Sequence, residues 1–106
     1  MSAYGRRCAI TGCAIADVLE AAHIYPYRGA ATNAVSNGLL LRADLHTLFD
    51  CGLIAIDAVS RTILVSPRLN DSEYVELHGR KLRSPQTSAQ LPSEAALNMH
   101  RASAGL

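Results

Sequence analysis

The chain has few aromatic residues. It has no tryptophan, one phenylalanine (Phe49) and four tyrosines among its 106 residues. A core must therefore be built from leucine, isoleucine, valine and alanine, and apolar residues make up 49% of the chain. A chain of this length has room for one compact domain, so we expect residues 1–106 to form a single one.

Long apolar runs are also absent. No stretch is long and apolar enough to cross a bilayer, and residues 1–7 lack the apolar run of a secretory signal. We therefore expect no membrane association and a cytoplasmic location.

Cysteines are few and odd in number. Cys8, Cys13 and Cys51 cannot form a complete disulfide framework, which fits a reducing compartment. Their spacing also lacks the paired C-x2-C knuckles of a structural zinc site. We expect all three to be small buried hydrophobic residues.

Charge of either sign is not in excess. Ten basic residues stand against nine acidic ones, for a net charge of +1. A tight nucleic-acid binder normally has a clear basic excess, so overall charge does not favour one. The only local basic cluster is residues 78–83, in which Arg80 and Lys81 are candidate phosphate contacts. A solvated turn is the alternative.

The first half of the chain predicts short strands around a loop. Residues 4–10 are predicted to form a strand. Residues 22–25 are expected to be extended, because Pro26 disfavours helix in the residue before it. Residues 28–38 have a loop composition, and residues 39–41 follow as a short apolar strand.

A helix follows directly. One face is apolar and Gly52 is placed to end the helix; the apolar positions are Leu41, Leu45, Leu48 and Phe49. The opposite face carries Arg42, His46 and Asp50 at four-residue intervals. Residues 53–56 and 62–65 predict a β-hairpin, and residues 93–104 predict a terminal helix with Ser93 as N-cap.

Polar residues suited to hydrolysis mark this strand–loop–strand–helix unit: His23 on the first strand, Asn37 at the end of the loop, and His46 and Asp50 on the helix. Phosphodiester cleavage needs a base to deprotonate water and a cation to neutralise charge on the phosphate oxygens. His23 can act as the base near neutral pH. His46 and Asp50 point the same way and can chelate one ion, while Asn37 can fix the loop or orient the imidazole. Each residue also has an ordinary structural explanation.

Four blocks carry a resemblance to a known family: residues 8–12 (CAITG), 22–26 (AHIYP), 37–41 (NGLLL) and 44–52 (DLHTLFDCG). They resemble, in the same order, the signature blocks of HNH endonucleases. The resemblance continues through residues 53–66 and 91–100, so it covers nearly the whole chain. The closest match is the branch with A-A-H-I-x-P, N-G-L-L-L and L-H-x-L-F-D-x-G blocks.

The resemblance implies an α+β fold with a ββα-metal (His-Me finger) core over about residues 19–52. A hairpin over residues 53–66 and an extension over residues 67–106 with a C-terminal helix would complete it. It also implies that His23 is the general base, that Asn37 supports it, and that His46 ligates the metal. Asp50 lies where some members place a second ligand.

One position departs from many HNH enzymes. They have aspartate or histidine immediately before the catalytic histidine, as another ligand, where this chain has Ala22. Glu20 is two residues earlier, on the same face of a strand, and is a candidate to reach the ion directly or through water. The alternative is an exposed carboxylate with no such role.

The expected function is a metal-dependent DNA endonuclease using Mg, Mn, Zn or Ni. Arg28 and Arg42 join Arg80 and Lys81 as candidate nucleic-acid contacts. Because so small a domain has little surface for reading bases, we expect specificity to come from a homodimer or a fused recognition domain. The alternative is a catalytically weak or inactive HNH module that binds metal or nucleic acid.

Overall fold

The elements of the fold follow one another closely along the chain. A computed structural model describes residues 5–24, 38–83 and 92–106. Its strands are β1 (Leu19–His23), β2 (Gly38–Arg42), β3 (Ile54–Ile56) and β4 (Ile63–Val65), and its α-helices are α1 (Ala43–Asp50) and α2 (Glu94–Ala104). Short 3-10 turns cover Ala16–Val18, Pro67–Leu69 and Glu73–Leu77. The α+β class is confirmed.

The first sheet and α1 form the ββα unit. β1 pairs antiparallel with β2, which places Glu20 opposite Leu41 and His23 opposite Gly38. β2 passes directly into α1, and α1 lies against both strands. Among the described residues, Phe49 is the only aromatic side chain that is fully buried. The largest fully buried side chains in these ranges are Phe49, Leu39, Leu41, Leu45, Ile54, Ile56, Ile63, Leu97 and Cys8. This arrangement is the predicted ββα-metal core.

The end of α1 confirms the role expected for Gly52. The φ angle of Gly52 is +72°, its N–H donates to the Phe49 carbonyl at 3.1 Å, and the Leu53 N–H donates to the Leu48 carbonyl at 2.9 Å. These two bonds form a Schellman motif, which glycine favours because it has no Cβ to strain the left-handed backbone.

The predicted hairpin and terminal helix are also present. β3 pairs antiparallel with β4 in the register Ile54–Val65. α2 begins where the Ser93 hydroxyl accepts a hydrogen bond from the Ala96 N–H at 3.3 Å. α2 packs against β3, and the His100 ring stacks on Phe49 with centroids 3.6 Å apart.

The strand predicted over residues 4–10 is wrong for its described part, residues 5–10, which lie in turns and a bend. The backbone of this segment forms hydrogen bonds that close a loop. The Cys8 N–H donates to the Cys13 carbonyl at 2.8 Å, and the Gly12 N–H donates to the Cys8 carbonyl at 2.9 Å. Gly12, with a φ of +76°, lets the chain turn so tightly.

The cysteine expectation is confirmed at one position and wrong at another. Cys8 is fully buried and Cys13 partly so, but Cys51 is exposed because it is the residue just after the last turn of α1. All three are free thiols. Among the described helices, none is long and apolar enough to cross a membrane.

Candidate metal and nuclease site

β1 and α1 bring two carboxylates to opposite edges of one imidazole. The His46 Nδ1 atom lies 2.7 Å from Glu20 Oε1, and His46 Nε2 lies 3.2 Å from Asp50 Oδ2. His46 and Asp50 share a helix face because they are four residues apart. Only 24% of the His46 side chain is exposed, against 50% for Glu20 and 59% for Asp50.

This arrangement leaves an electron-rich pair of atoms facing each other. A neutral imidazole has one N–H, and when that N–H is on Nδ1 it donates to Glu20. The lone pair of His46 Nε2 then faces the Asp50 carboxylate. Such a pair needs a proton or a cation between the two atoms, so a cation is one of the two species that this edge can hold.

The donor set is suited to a divalent metal ion. Imidazole nitrogen and carboxylate oxygen are ligands for Mg, Mn, Zn and Ni in different proportions. Two ligands that each lie roughly 2.0–2.2 Å from one ion are about 3 Å apart, near the 3.2 Å between His46 Nε2 and Asp50 Oδ2. Within residues 5–24, 38–83 and 92–106, no three histidine, cysteine or acidic side chains converge on one point. Glu20 and Asp50 contact opposite nitrogens of the His46 ring, so these three side chains do not face one common point.

His23 lies at the end of the same hairpin. It is the last residue of β1, opposite Gly38, and is partly exposed. Glu20 is three residues earlier, about 10 Å along the strand, and strand alternation turns the two side chains to opposite faces. The structure thus groups Glu20, His46 and Asp50 and places His23 further along β1. The other candidates in this segment, Asn37 and Arg28, lie outside the described residues.

Arg42 is held by a neighbouring carboxylate. Its Nε and Nη2 atoms donate to the two oxygens of Asp44 at 2.7 and 2.9 Å, and the Tyr74 hydroxyl donates to Asp44 Oδ2 at 2.7 Å. These hydrogen bonds, that of Arg42 first, lower the pKa of Asp44 to about 2. The guanidinium charge is therefore already matched by a carboxylate, and a phosphate contact of Arg42 stays a prediction.

Arg80 and Lys81 lie beside the second hairpin. Lys81 forms an isolated bridge with Thr62, and the Arg80 carbonyl accepts from the Ile63 N–H at 2.8 Å. Both side chains are exposed, and in the part of the chain that the structure describes neither forms an ion pair. Their predicted contact with nucleic acid also stays a prediction.

Two contacts near the site, Glu20 with His46 and Tyr74 with Asp44, were not predicted, and only the first had a signal in the sequence. The Glu20 contact had a signal, because strand alternation puts Glu20 on the face of Ala22. The Tyr74–Asp44 bond had none, because 30 residues separate its partners and Tyr74 lies in a 3-10 turn with no helical pattern.

Comparison with known proteins bears on the family and the fold of the chain. Residues 8–57 match the family model described as HNH endonuclease. Among solved structures, the "Modification dependent TagI restriction endonuclease" is similar, with a TM-score of 0.61 and 18% sequence identity over 95% of this chain. The chain spans 34% of that protein's length. No curated protein matches the sequence. Residues 8–57, just under half of the chain, therefore match the HNH endonuclease family.

Proposed function

We propose that the protein is a metal-dependent endonuclease that hydrolyses phosphodiester bonds of DNA. The single observation that carries the proposal is the His46–Asp50 pair, held beside β1 by Glu20 in a chain whose β1 ends in His23. Metal-bound histidines usually donate their other N–H to an oriented acceptor, and Glu20 is at that position beside His46 Nδ1.

Each residue has a distinct part in the proposed reaction. His23 removes a proton from the attacking water, which an imidazole can do near neutral pH. Asn37 supports His23. His46 and Asp50 supply the donor atoms for the metal, and Glu20 keeps His46 Nε2 directed toward Asp50. A divalent cation bound by His46 and Asp50 would stabilise the negative charge that develops on the phosphate oxygens.

The source of sequence specificity belongs to the same proposal. The similar restriction endonuclease is about three times the length of this chain. A domain of this size has little surface beyond its own site for reading base edges. We propose that a second copy or a linked recognition domain selects the DNA sequence.

The test is nicking of supercoiled plasmid with and without added Mg²⁺, Mn²⁺, Zn²⁺ or Ni²⁺. The expected result is metal-dependent nicking that EDTA stops and that His23→Ala reduces by at least a hundredfold. His78→Gln is the matched control, because His78 is an exposed histidine whose Nδ1 accepts only the Val65 N–H. Equal nicking by wild type and His23→Ala would exclude His23 as the base.

A second candidate is an HNH module that binds metal or nucleic acid without turnover. The observation that favours it is Ala22, which is 2% exposed and has no donor atom at a position that is a ligand in many family members. Calorimetry with Mn²⁺ on wild type and His46→Ala, run beside the nicking assay, separates the two. Metal binding that His46→Ala abolishes, with no nicking by wild type, selects the module.

A further inference from the structure

Two arginines from distant parts of the sequence meet at one glycine. The Arg7 Nη1 atom donates a hydrogen bond to the Gly12 carbonyl at 3.1 Å. Arg83 lies against the same residue from another direction, since a Cβ added to Gly12 would be 3.2 Å from Arg83 Nη1. Both arginine side chains are exposed. The two guanidinium groups therefore share a single small area of surface.

The backbone around them is fixed to the catalytic hairpin. The Arg83 N–H donates to the Ala9 carbonyl at 2.8 Å, and the Ala9 N–H donates to the Leu40 carbonyl in β2 at 2.7 Å. Leu40 is two residues, about 7 Å of strand, from Gly38, the residue that pairs with His23. The paired arginines and His23 thus belong to one rigid unit within the span of a few nucleotides.

Among the described residues, no acidic side chain pairs with either of these two charges. In the described ranges, the basic partners in the ion pairs are Arg42, His46 and Arg101, and neither Arg7 nor Arg83 has a carboxylate within ion-pair distance. Two like charges at one glycine repel each other, and an anion between them would relieve the repulsion. The chain as a whole is nearly neutral, so such a local excess of positive charge is unusual in it.

We propose that Arg7 and Arg83 form an arginine clamp that binds a backbone phosphate of the DNA. The occupant is a phosphate of the substrate because guanidinium forks match phosphate oxygens and because the arginine clamp is hydrogen-bonded, through Ala9, to the hairpin that carries His23. The choice of DNA as the ligand rests on the proposed function. The arginine clamp would add a contact that positions the duplex without reading its sequence.

The test is the salt dependence of binding to a short DNA duplex, followed by fluorescence anisotropy in EDTA, where no cleavage occurs. Each phosphate contact contributes about 0.9 to the slope of log K against log salt. Because both arginines contact one phosphate, replacing Arg7 and Arg83 together by Gln is expected to reduce the slope by about 0.9, and either single variant by less. The loss of affinity should be equal for different sequences. Arg83→Lys, which keeps the charge, is expected to keep most of the slope.

Arg68→Gln is the matched control, since Arg68 is also an exposed arginine but lies in the 3-10 turn after β4. Arg83 makes no side-chain hydrogen bond in the described part of the structure, so Arg83→Gln tests the arginine clamp without removing a hydrogen bond of the fold. The proposal is overturned if Arg83→Gln and Arg68→Gln have the same slope, or if wild type does not bind the duplex. Binding with the expected slopes but no nicking in metal would overturn the nuclease proposal and leave the arginine clamp standing.

Discussion

Glu20 and His46 link the strand and the helix of the ββα unit through one contact of 2.7 Å between Glu20 Oε1 and His46 Nδ1. The two residues are 26 positions apart in sequence. The contact limits rotation of the imidazole, so that its other nitrogen stays beside Asp50 on the same helix face. In this chain the strand orients a side chain of the helix.

Removing the Glu20 carboxylate should therefore weaken metal binding. For Glu20→Ala we expect a loss of about 10–100-fold in affinity for Mn²⁺, the usual effect of losing an acceptor behind a metal-bound histidine. Glu20→Gln keeps an acceptor oxygen and should lose less. Isothermal titration calorimetry measures both, with the exposed Glu76→Gln as control. A loss by Glu20→Gln as large as that of His46→Ala would instead identify Glu20 as a direct ligand.

Asp44 predicts a loss of stability in acid. Its pKa is about 2 in the folded protein, below its ordinary value of 3.8, because Arg42 and Tyr74 donate to the carboxylate. As pH falls, the unfolded chain takes up the proton first, so the stabilisation present above pH 4 is lost between about pH 4 and pH 2. With 37% of the side chain exposed, screening reduces the effect to about 1 kcal/mol.

Urea unfolding at pH 6, 4, 3 and 2.5 measures this loss. Asp44→Asn should have a lower free energy of unfolding at pH 6 and a flatter dependence below pH 4. Tyr74→Phe removes one donor and should give an intermediate profile. If wild type and Asp44→Asn had the same dependence of the free energy of unfolding on pH, the prediction would be wrong.

We expect a second loss of stability at milder pH, caused by His100. Burial lowers the pKa of His100 below its ordinary value of 6.5, against the smaller opposing effects of the Phe49 carbonyl and Asp50. Its Nε2 pairs with the Phe49 carbonyl at 2.7 Å, while Nδ1 is buried with no hydrogen-bond partner among the described residues. A proton on Nδ1 would therefore have no acceptor there.

Because the folded state resists this protonation, the free energy of unfolding should fall as pH drops below about 6.5, until the lowered pKa is passed. Thermal unfolding from pH 8 to pH 5 measures it. His100→Asn keeps a side-chain donor but does not titrate, so its melting temperature should change less over this range. An equal change in the two proteins would assign the acid sensitivity to other groups.

Alanine substitutions at Gly52 and Gly79 should distinguish the cost of backbone strain from the cost of steric crowding. Both have positive φ angles, +72° and +83°, so alanine at either position is strained. A Cβ at Gly52 would also lie 3.3 Å from the Ala104 Cα atom, whereas at Gly79 nothing lies within 4 Å. We expect Gly79→Ala to cost about 1 kcal/mol and Gly52→Ala about 2 kcal/mol or more. Chemical denaturation measures the free energy of unfolding of both variants. Equal losses would show that α2 can move away from the added Cβ at residue 52 without a loss of stability.

Sequence alone predicted the parts of the fold that depend on local pattern. The apolar face of α1, its end at Gly52, the hairpin before residue 66 and the start of α2 at Ser93 all have short-range signals, and all are confirmed. The turn around Cys8 was wrongly predicted as a strand, since its hydrogen bonds depend on how residues 8–13 close on themselves. Contacts between distant segments, such as Arg83 with Gly12, had no pattern to predict them.

The stacking of His100 on Phe49 has a consequence for how the family segment is stabilised. Among the described residues, Phe49 is the largest fully buried side chain, and it belongs to the helix that bears His46 and Asp50. The ring that covers it comes from α2, well beyond residue 57, where the family match ends. Part of the interior of the matched segment is therefore supplied by a region outside the family match. Changes in α2 can alter the rigidity of α1, which carries the candidate site residues His46 and Asp50, while every residue of the matched segment stays the same.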